Sequence, residues 1–392
     1  MLKHTFQILL QMGLALAATF PPPSGPYNTS FTAHQLTDYT RLDPYAPTRQ
    51  PRSLMISIFR PQTCIAVPTP YMDPITAAWT DSQFAQYGIQ SGTFGSLELL
   101  TCPLDLASKS QPRHPHHSEV RNEPNKSTKY PLVLFSPGQG DPRLYYSAMA
   151  QEVASKGYVV VTIDHPYDAG IVVFPDNSTA LEANITTDDQ ILDALNVRVK
   201  DVSFVLTQLT LDSVLHSPLR EGCEVDITKV GIFGHSLGGA TAASAILVDP
   251  RFRGGVNLDG TFFGPLSSPS SSAFITKPFM IFAHEGKNTT TDASWAAIWP
   301  KLKGWKRMLE LKGSVHGTFT DLPDVVDVLG LSGMLPPEVG EMLGSIDGER
   351  AMSVISTYVS GFFNFVLKGK NVGLLDGPRK EFPEVAFVEP DE

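Results

Sequence analysis

The pentapeptide Gly234-His235-Ser236-Leu237-Gly238 sets a serine between two glycines, where the apolar run 230–233 gives way to the alanine-rich stretch 237–247. A serine that attacks an acyl group must stand clear of its own backbone, and a sharp turn from strand to helix achieves this. Such a turn strains the serine and requires small residues two positions to either side, which Gly234 and Gly238 supply. The chemistry also needs a base to take the serine proton, an acid to hold that base, and N–H donors for the oxyanion.

In sheets that carry a nucleophile on this turn, the acid and then the histidine follow it along the chain. Only His284 and His316 lie after Ser236. His284 falls at the end of an expected strand. His316 sits in Gly313-Ser314-Val315-His316-Gly317, just past the last expected strand, where a loop can swing an imidazole over the serine. Among the intervening acids, Asp249 belongs to the end of the helix and Glu310 to the inside of a strand. Asp259 and Glu285 remain, each just beyond the carboxyl end of a strand, where such sheets place active groups. Topology leaves both open. One oxyanion donor is expected at the N–H of Leu237, directly after the nucleophile. The other is expected at the N–H of Gln139, within Gly138-Gln139-Gly140, because glycines let the backbone approach a substrate.

The elements that must position these residues alternate. Residues 54–59, 130–136, 158–164, 230–233, 255–258, 278–283 and 307–311 read as strands, and 143–155, 188–209, 237–247 and 349–367 as helices. That alternation implies an α/β fold with a mostly parallel central sheet and helices on both faces. A single domain over 53–368 accommodates it, preceded by an extended arm (18–52) and followed by a polar tail (369–392). Residues 321–344 are apolar but broken by Gly330, Gly333, Pro336 and Pro337, which leaves a lid, a lipid-contact surface and plain packing on the body as alternatives.

With 42% hydrophobic and 18% charged residues over 392 positions, the chain can bury a sizeable core, and its net charge of −10 argues against nucleic acid as a partner. Lys3 and His4 precede an apolar run that ends near Ala15-Leu16-Ala17, as in a secretory signal peptide over 1–17. The run falls short of the ~20 residues that span a bilayer. Five N-x-S/T sequons, at Asn28, Asn125, Asn177, Asn184 and Asn288, fit a secreted, extracellular glycoprotein. So do three cysteines if two pair; Cys64 with Cys102 is favoured because both flank early strands, which leaves Cys223 over. The cluster His114-Pro115-His116-His117 reads as a solvated loop rather than a metal site, since no acid or cysteine completes a ligand set.

With these residues located, the chain resembles the platelet-activating-factor acetylhydrolase family of the plasma and intracellular type II group, most closely its secreted fungal-like members. The matching blocks are residues 131–138, the helix and strand through Asp164-His165, residues 201–206, the 234–239 elbow, Val256-Asn257-Leu258-Asp259-Gly260, and 316–321. The resemblance implies an α/β-hydrolase fold and selects the acid, because the family's aspartate follows its nucleophile by about two dozen residues, as Asp259 follows Ser236. It also implies a calcium-independent serine esterase, without cofactor or metal, that cuts short or oxidised sn-2 acyl chains from phospholipids, with a lipid surface as a candidate partner. A broader extracellular carboxylesterase, lipase or polyester hydrolase would use the same residues, and a binding protein that kept the fold without turnover is the alternative outside enzymes.

Overall fold

Near-continuous apolar runs such as Leu132-Val133-Leu134-Phe135 and Val159-Val160-Val161 suit strands covered on both faces, and these two pair in parallel in the interior of a nine-stranded sheet. The computed structural model describes residues 17–103, 129–211, 224–268, 270–370 and 373–388. The signal segment through Leu16, the histidines of the 114–117 cluster, Asn125 and Cys223 lie outside the described residues.

Across the sheet the strands run Val385–Val388, Lys306–Leu311, Phe279–His284, Phe252–Leu258, Glu224–His235, Lys129–Ser136, Val159–Ile163, Pro51–Gln62 and Asn28–Leu42. The six from Lys306–Leu311 through Val159–Ile163 are parallel; the other three pair antiparallel at the two edges. Register matters more for function than strand number. Gly234 sits opposite both Ser136 and Asn257, Leu258 opposite Phe282, and His284 opposite Leu311. Five strands therefore end level with one another, and the loops that leave them converge on one rim.

Both sheet faces are covered. The elbow helix Leu237–Val248 and the helix Asp188–Thr210 pack on one side, through Ala240, Ala243, Val202 and Val205, all at most 1% exposed. Thr187 and Gln190 close a capping box at the start of the longer helix, so its first turn leaves fewer N–H groups unpaired. Ser147–Ser155 and the closing helix Gly348–Lys368 cover the other face. The closing helix lies so near that a Cβ on Gly231 would stand 2.4 Å from the Phe363 ring. Alanine there would force the helix away from the strand.

Two segments differ from the sequence expectation. Within the expected arm, Asn28–Leu42 forms a strand paired with Pro51–Gln62, and within the expected tail Val385–Val388 pairs with Lys306–Leu311. Cys64 and Cys102 are joined in a disulfide. Residues 321–344 hold two short helices, Leu322–Val328 and Pro337–Leu343, facing Phe84, Ile89 and Phe94 across an apolar groove. Among the described residues no helix is long and apolar enough to cross a membrane.

Candidate active site

Ser236 stands between the Glu224–His235 strand and the Leu237–Val248 helix with φ 54° and ψ −124°, a backbone conformation that non-glycine residues avoid. The glycines around it answer to specific neighbours. A Cβ on Gly234 would lie 2.3 Å from the Gly238 backbone, and one on Gly238 would lie 1.9 Å from the Ser136 carbonyl oxygen. Any side chain there would push the helix off the sheet and lose the turn. Ser236 is partly buried, and its hydroxyl makes no hydrogen bond to another described residue. Catalytic hydrogen bonds are often long or unformed without substrate and tighten when it binds.

Asp259 follows the Phe252–Leu258 strand in a left-handed conformation (φ 58°). The neighbouring Asn257 makes that turn: its fully buried amide donates to the Gly260 carbonyl at 2.7 Å and accepts the Gly260 N–H at 2.6 Å. The Asp259 carboxylate meets His316 Nδ1 at 2.5 Å. It also meets His284 Nδ1 at 2.8 Å, accepts the His284 N–H at 3.1 Å, and lies 3.8 Å from Lys287 Nζ. Burial by itself would raise the Asp259 carboxyl. The histidine hydrogen bonds and the Lys287 charge outweigh burial and hold it well below the usual carboxylate range. Glu285 is elsewhere: its exposed carboxylate accepts the Gly313 N–H at 2.8 Å and steadies the loop that carries His316.

His316 opens a short helical turn, with its side chain 51% exposed and its ring centroid 4.5 Å from that of His235, the residue before the serine. On the same rim, the loop after Ser136 is held from behind by Arg198. This buried guanidinium donates to the Pro137 carbonyl at 2.6 Å and the Gly138 carbonyl at 3.1 Å, and is neutralised by Asp168. With these carbonyls turned toward the arginine, the loop's N–H groups are directed elsewhere. Gly138 N–H goes to Tyr146 and Gly140 N–H to the Asp168 carbonyl, whereas Gln139 N–H has no partner among the described residues. The Gln139 side chain is drawn off to the Ile185 carbonyl at 2.7 Å. Leu237 presents one of the N–H groups that a helix leaves unpaired at its first turn.

A second Ser-His-Asp set lies beneath this loop. His165 Nε2 lies 2.9 Å from Ser136 Oγ and its Nδ1 lies 3.0 Å from Asp201, which is in turn paired with Arg52 and Arg41. All three members are at most 1% exposed, and Ser136 ends a regular strand. The set has the side chains of a triad and no route for a substrate. It pins the strand end from which the Gly138-Gln139-Gly140 loop departs. Ser136, His165 and Asp201 lie in blocks that carry the family resemblance, but the sequence does not show that they meet, and Arg198 has no mark at all, since an arginine within an amphipathic helix carries no local sign of a long-range role.

Fold and site together define an ester hydrolase of the α/β-hydrolase class. The family described as Platelet-activating factor acetylhydrolase, isoform II, matches residues 110–203 and 217–368, more than half of the chain, and the chain belongs to that family. A protein of Arthroderma benhamiae named probable 1-alkyl-2-acetylglycerophosphocholine esterase is 30% identical over 385 residues, which cover 94% of this chain and 93% of its own. The platelet-activating factor acetylhydrolase of Cavia porcellus is 29% identical over 259 residues, covering 60% and 57% respectively. Among solved structures, a ferulic acid esterase from Streptomyces cinnamoneus is similar with a TM-score of 0.76 and 29% identity, over 95% of this chain and 100% of that chain.

Proposed function

We propose that the protein is a secreted serine esterase that removes short or oxidised sn-2 acyl groups from phospholipids through an acyl-enzyme. The observation that carries this reading is the pairing of Asp259 with His316 at 2.5 Å on the rim where Ser236 is held in its strained turn. In the proposed cycle His316 takes the Ser236 proton as the hydroxyl attacks the ester carbonyl. Asp259 keeps the imidazole in the tautomer that can accept this proton and stabilises the imidazolium that forms. The N–H groups of Leu237 and Gln139 receive the oxyanion. His316 then protonates the leaving alcohol, and water repeats the sequence to free the acid and the serine.

The substrate class rests on the names of the relatives, and the resemblance to a ferulic acid esterase favours a second reading, a broader carboxylesterase. The disulfide and the exposed sequons at Asn177 and Asn184 support passage through an oxidising compartment with glycosylation. Met334, 75% exposed beside the apolar groove of residues 321–344, supports contact with a lipid surface. Purified protein is expected to release acetate from 1-alkyl-2-acetylglycerophosphocholine in the presence of EDTA, and to lose rate as the sn-2 chain lengthens. Faster turnover of feruloyl or long-chain p-nitrophenyl esters would favour the broader carboxylesterase.

A further inference from the structure

A catalytic acid needs one histidine, yet Asp259 faces two. His316 Nδ1 lies 2.5 Å from Oδ2, His284 Nδ1 lies 2.8 Å from both carboxylate oxygens, and one donor atom from each residue lies within 4.8 Å of the others. The carboxylate is fully buried, whereas the side chains of His284 and His316 are 30% and 51% exposed. The cluster is therefore rigid at its acid and open to solvent at its imidazoles. We propose that Asp259, His284 and His316 form a binding site for a divalent transition-metal ion, zinc foremost, and that occupancy switches the esterase off.

Two imidazoles and one carboxylate, with a fourth position left to water, are a donor set that zinc accepts in four-coordinate sites. Calcium and magnesium demand six or more oxygen donors and are not served here. Bonds of about 2.0–2.1 Å in a tetrahedron set the donors roughly 3.3 Å apart, so the histidines must draw back slightly from the carboxylate. Both lie at strand ends or loops on the exposed rim, while the Asn257 turn holds Asp259 in place.

The switch follows from the tautomers. A carboxylate only accepts, so each neutral ring now carries its proton on Nδ1 and its lone pair on Nε2. Ligation through Nδ1 moves that proton to Nε2. Two N–H···O bonds break, two metal–nitrogen bonds and one metal–oxygen bond form, the ion gives up water, and no proton leaves the protein. His316 in that tautomer has no lone pair for the Ser236 proton. This inhibitory part rests on the serine esterase reading, whereas metal binding does not. Lys287 opposes the ion: its Nζ lies 3.8 Å from the carboxylate and donates to the Asp259 carbonyl at 2.8 Å.

Binding is measured by equilibrium dialysis of zinc against Ser236→Ala protein, with cobalt as a visible-absorption probe of tetrahedral geometry. One ion per chain is expected. In the same background His284→Ala should weaken zinc by about tenfold or more, the scale of losses seen when metal-site support is removed, while Lys287→Met should tighten it. In the active protein zinc should inhibit p-nitrophenyl acetate hydrolysis, EDTA should restore it, and the inhibitory concentration should follow the dialysis constants across the variants. Absence of stoichiometric zinc, or equal affinity in His284→Ala, overturns the site; binding without inhibition overturns the switch. If no ester is hydrolysed at all, the activity reading fails and dialysis still decides the site.

Discussion

Tyr146 and His235 are joined at 2.8 Å between phenol oxygen and imidazole Nδ1, and this contact ties the loop after Ser136 to the elbow. His235 Nε2 lies 3.0 Å from the His316 carbonyl oxygen, which only accepts, so the ring's proton is on Nε2. Burial holds the His235 pKa well below the ordinary histidine range, which leaves Nδ1 bare. The Tyr146 hydroxyl faces both this nitrogen and, at 2.5 Å, the Asp141 carboxylate, either of which can take its proton. Its oxygen accepts from Gly138 N–H at 3.2 Å, and burial pushes the Asp141 carboxyl up. The chain Asp141–Tyr146–His235 thus ends on the backbone of the expected base.

Removing the middle of that chain should misplace the base and the oxyanion loop together. Tyr146→Phe is expected to lower kcat by between about 10-fold and 100-fold with a smaller change in KM, the scale of a misplacement near 1 Å. Steady-state kinetics of the variant beside the unchanged protein check both the size of the loss and its split between kcat and KM.

Asp259→Asn is expected to lose orders of magnitude in kcat, since an amide cannot hold the His316 tautomer that a carboxylate selects. Glu285→Gln should lose little, because among the described residues its carboxylate meets only the Gly313 N–H. Parallel assays of the two proteins at one pH decide between them; the opposite ranking would move the acid to Glu285.

Much of the site could be read from residues 234–238 and from chain order, because the chemistry itself restricts both. Only two histidines follow Ser236, and strand ends restricted the acid to Asp259 or Glu285. Residues that act at a distance left no local signal. Asn257 builds the turn under Asp259, and Arg198 and the Ser136–His165–Asp201 set hold the loop after Ser136 from positions up to 65 residues apart in the chain. Asn28–Leu42 went unread as a strand for a different reason. At the sheet edge Ala33, Gln35, Tyr39, Thr40 and Leu42 are exposed while the polar Thr29, Ser30, Thr32 and Asp38 take buried positions, so no apolar alternation marks the strand. Val385–Val388 is too short for periodicity to register.

Asp324, on the Leu322–Val328 helix, has a carboxyl raised to about 7 by burial and by the charges of Asp327, Glu349, Asp347 and Glu152. An unfolded aspartate titrates near 3.9. Between these values the folded state holds a proton that the unfolded state has lost, so this group's contribution to stability is present at low pH and falls as pH rises toward 7. Asp324→Asn, which does not titrate, should gain about 1 kcal/mol or more at pH 8 and little at pH 4. Urea unfolding at the two pH values measures the difference.

The Cys64–Cys102 disulfide spans a separation of 38 residues and clips the loop after Pro51–Gln62 to the strand Leu97–Thr101. Loop-closure entropy for that length gives roughly 4 kcal/mol as an upper estimate. The double variant Cys64→Ser, Cys102→Ser should therefore unfold at markedly lower denaturant, with activity retained below the transition, because both cysteines lie away from Ser236 in the fold.

Acylation of Ser236 is read by mass spectrometry of the protein after reaction with a fluorophosphonate. One adduct per chain is expected, on the peptide containing Ser236, with loss of acetate release in proportion to labelling, and no adduct in Ser236→Ala. An adduct on another residue, or undiminished hydrolysis by Ser236→Ala, would contradict it.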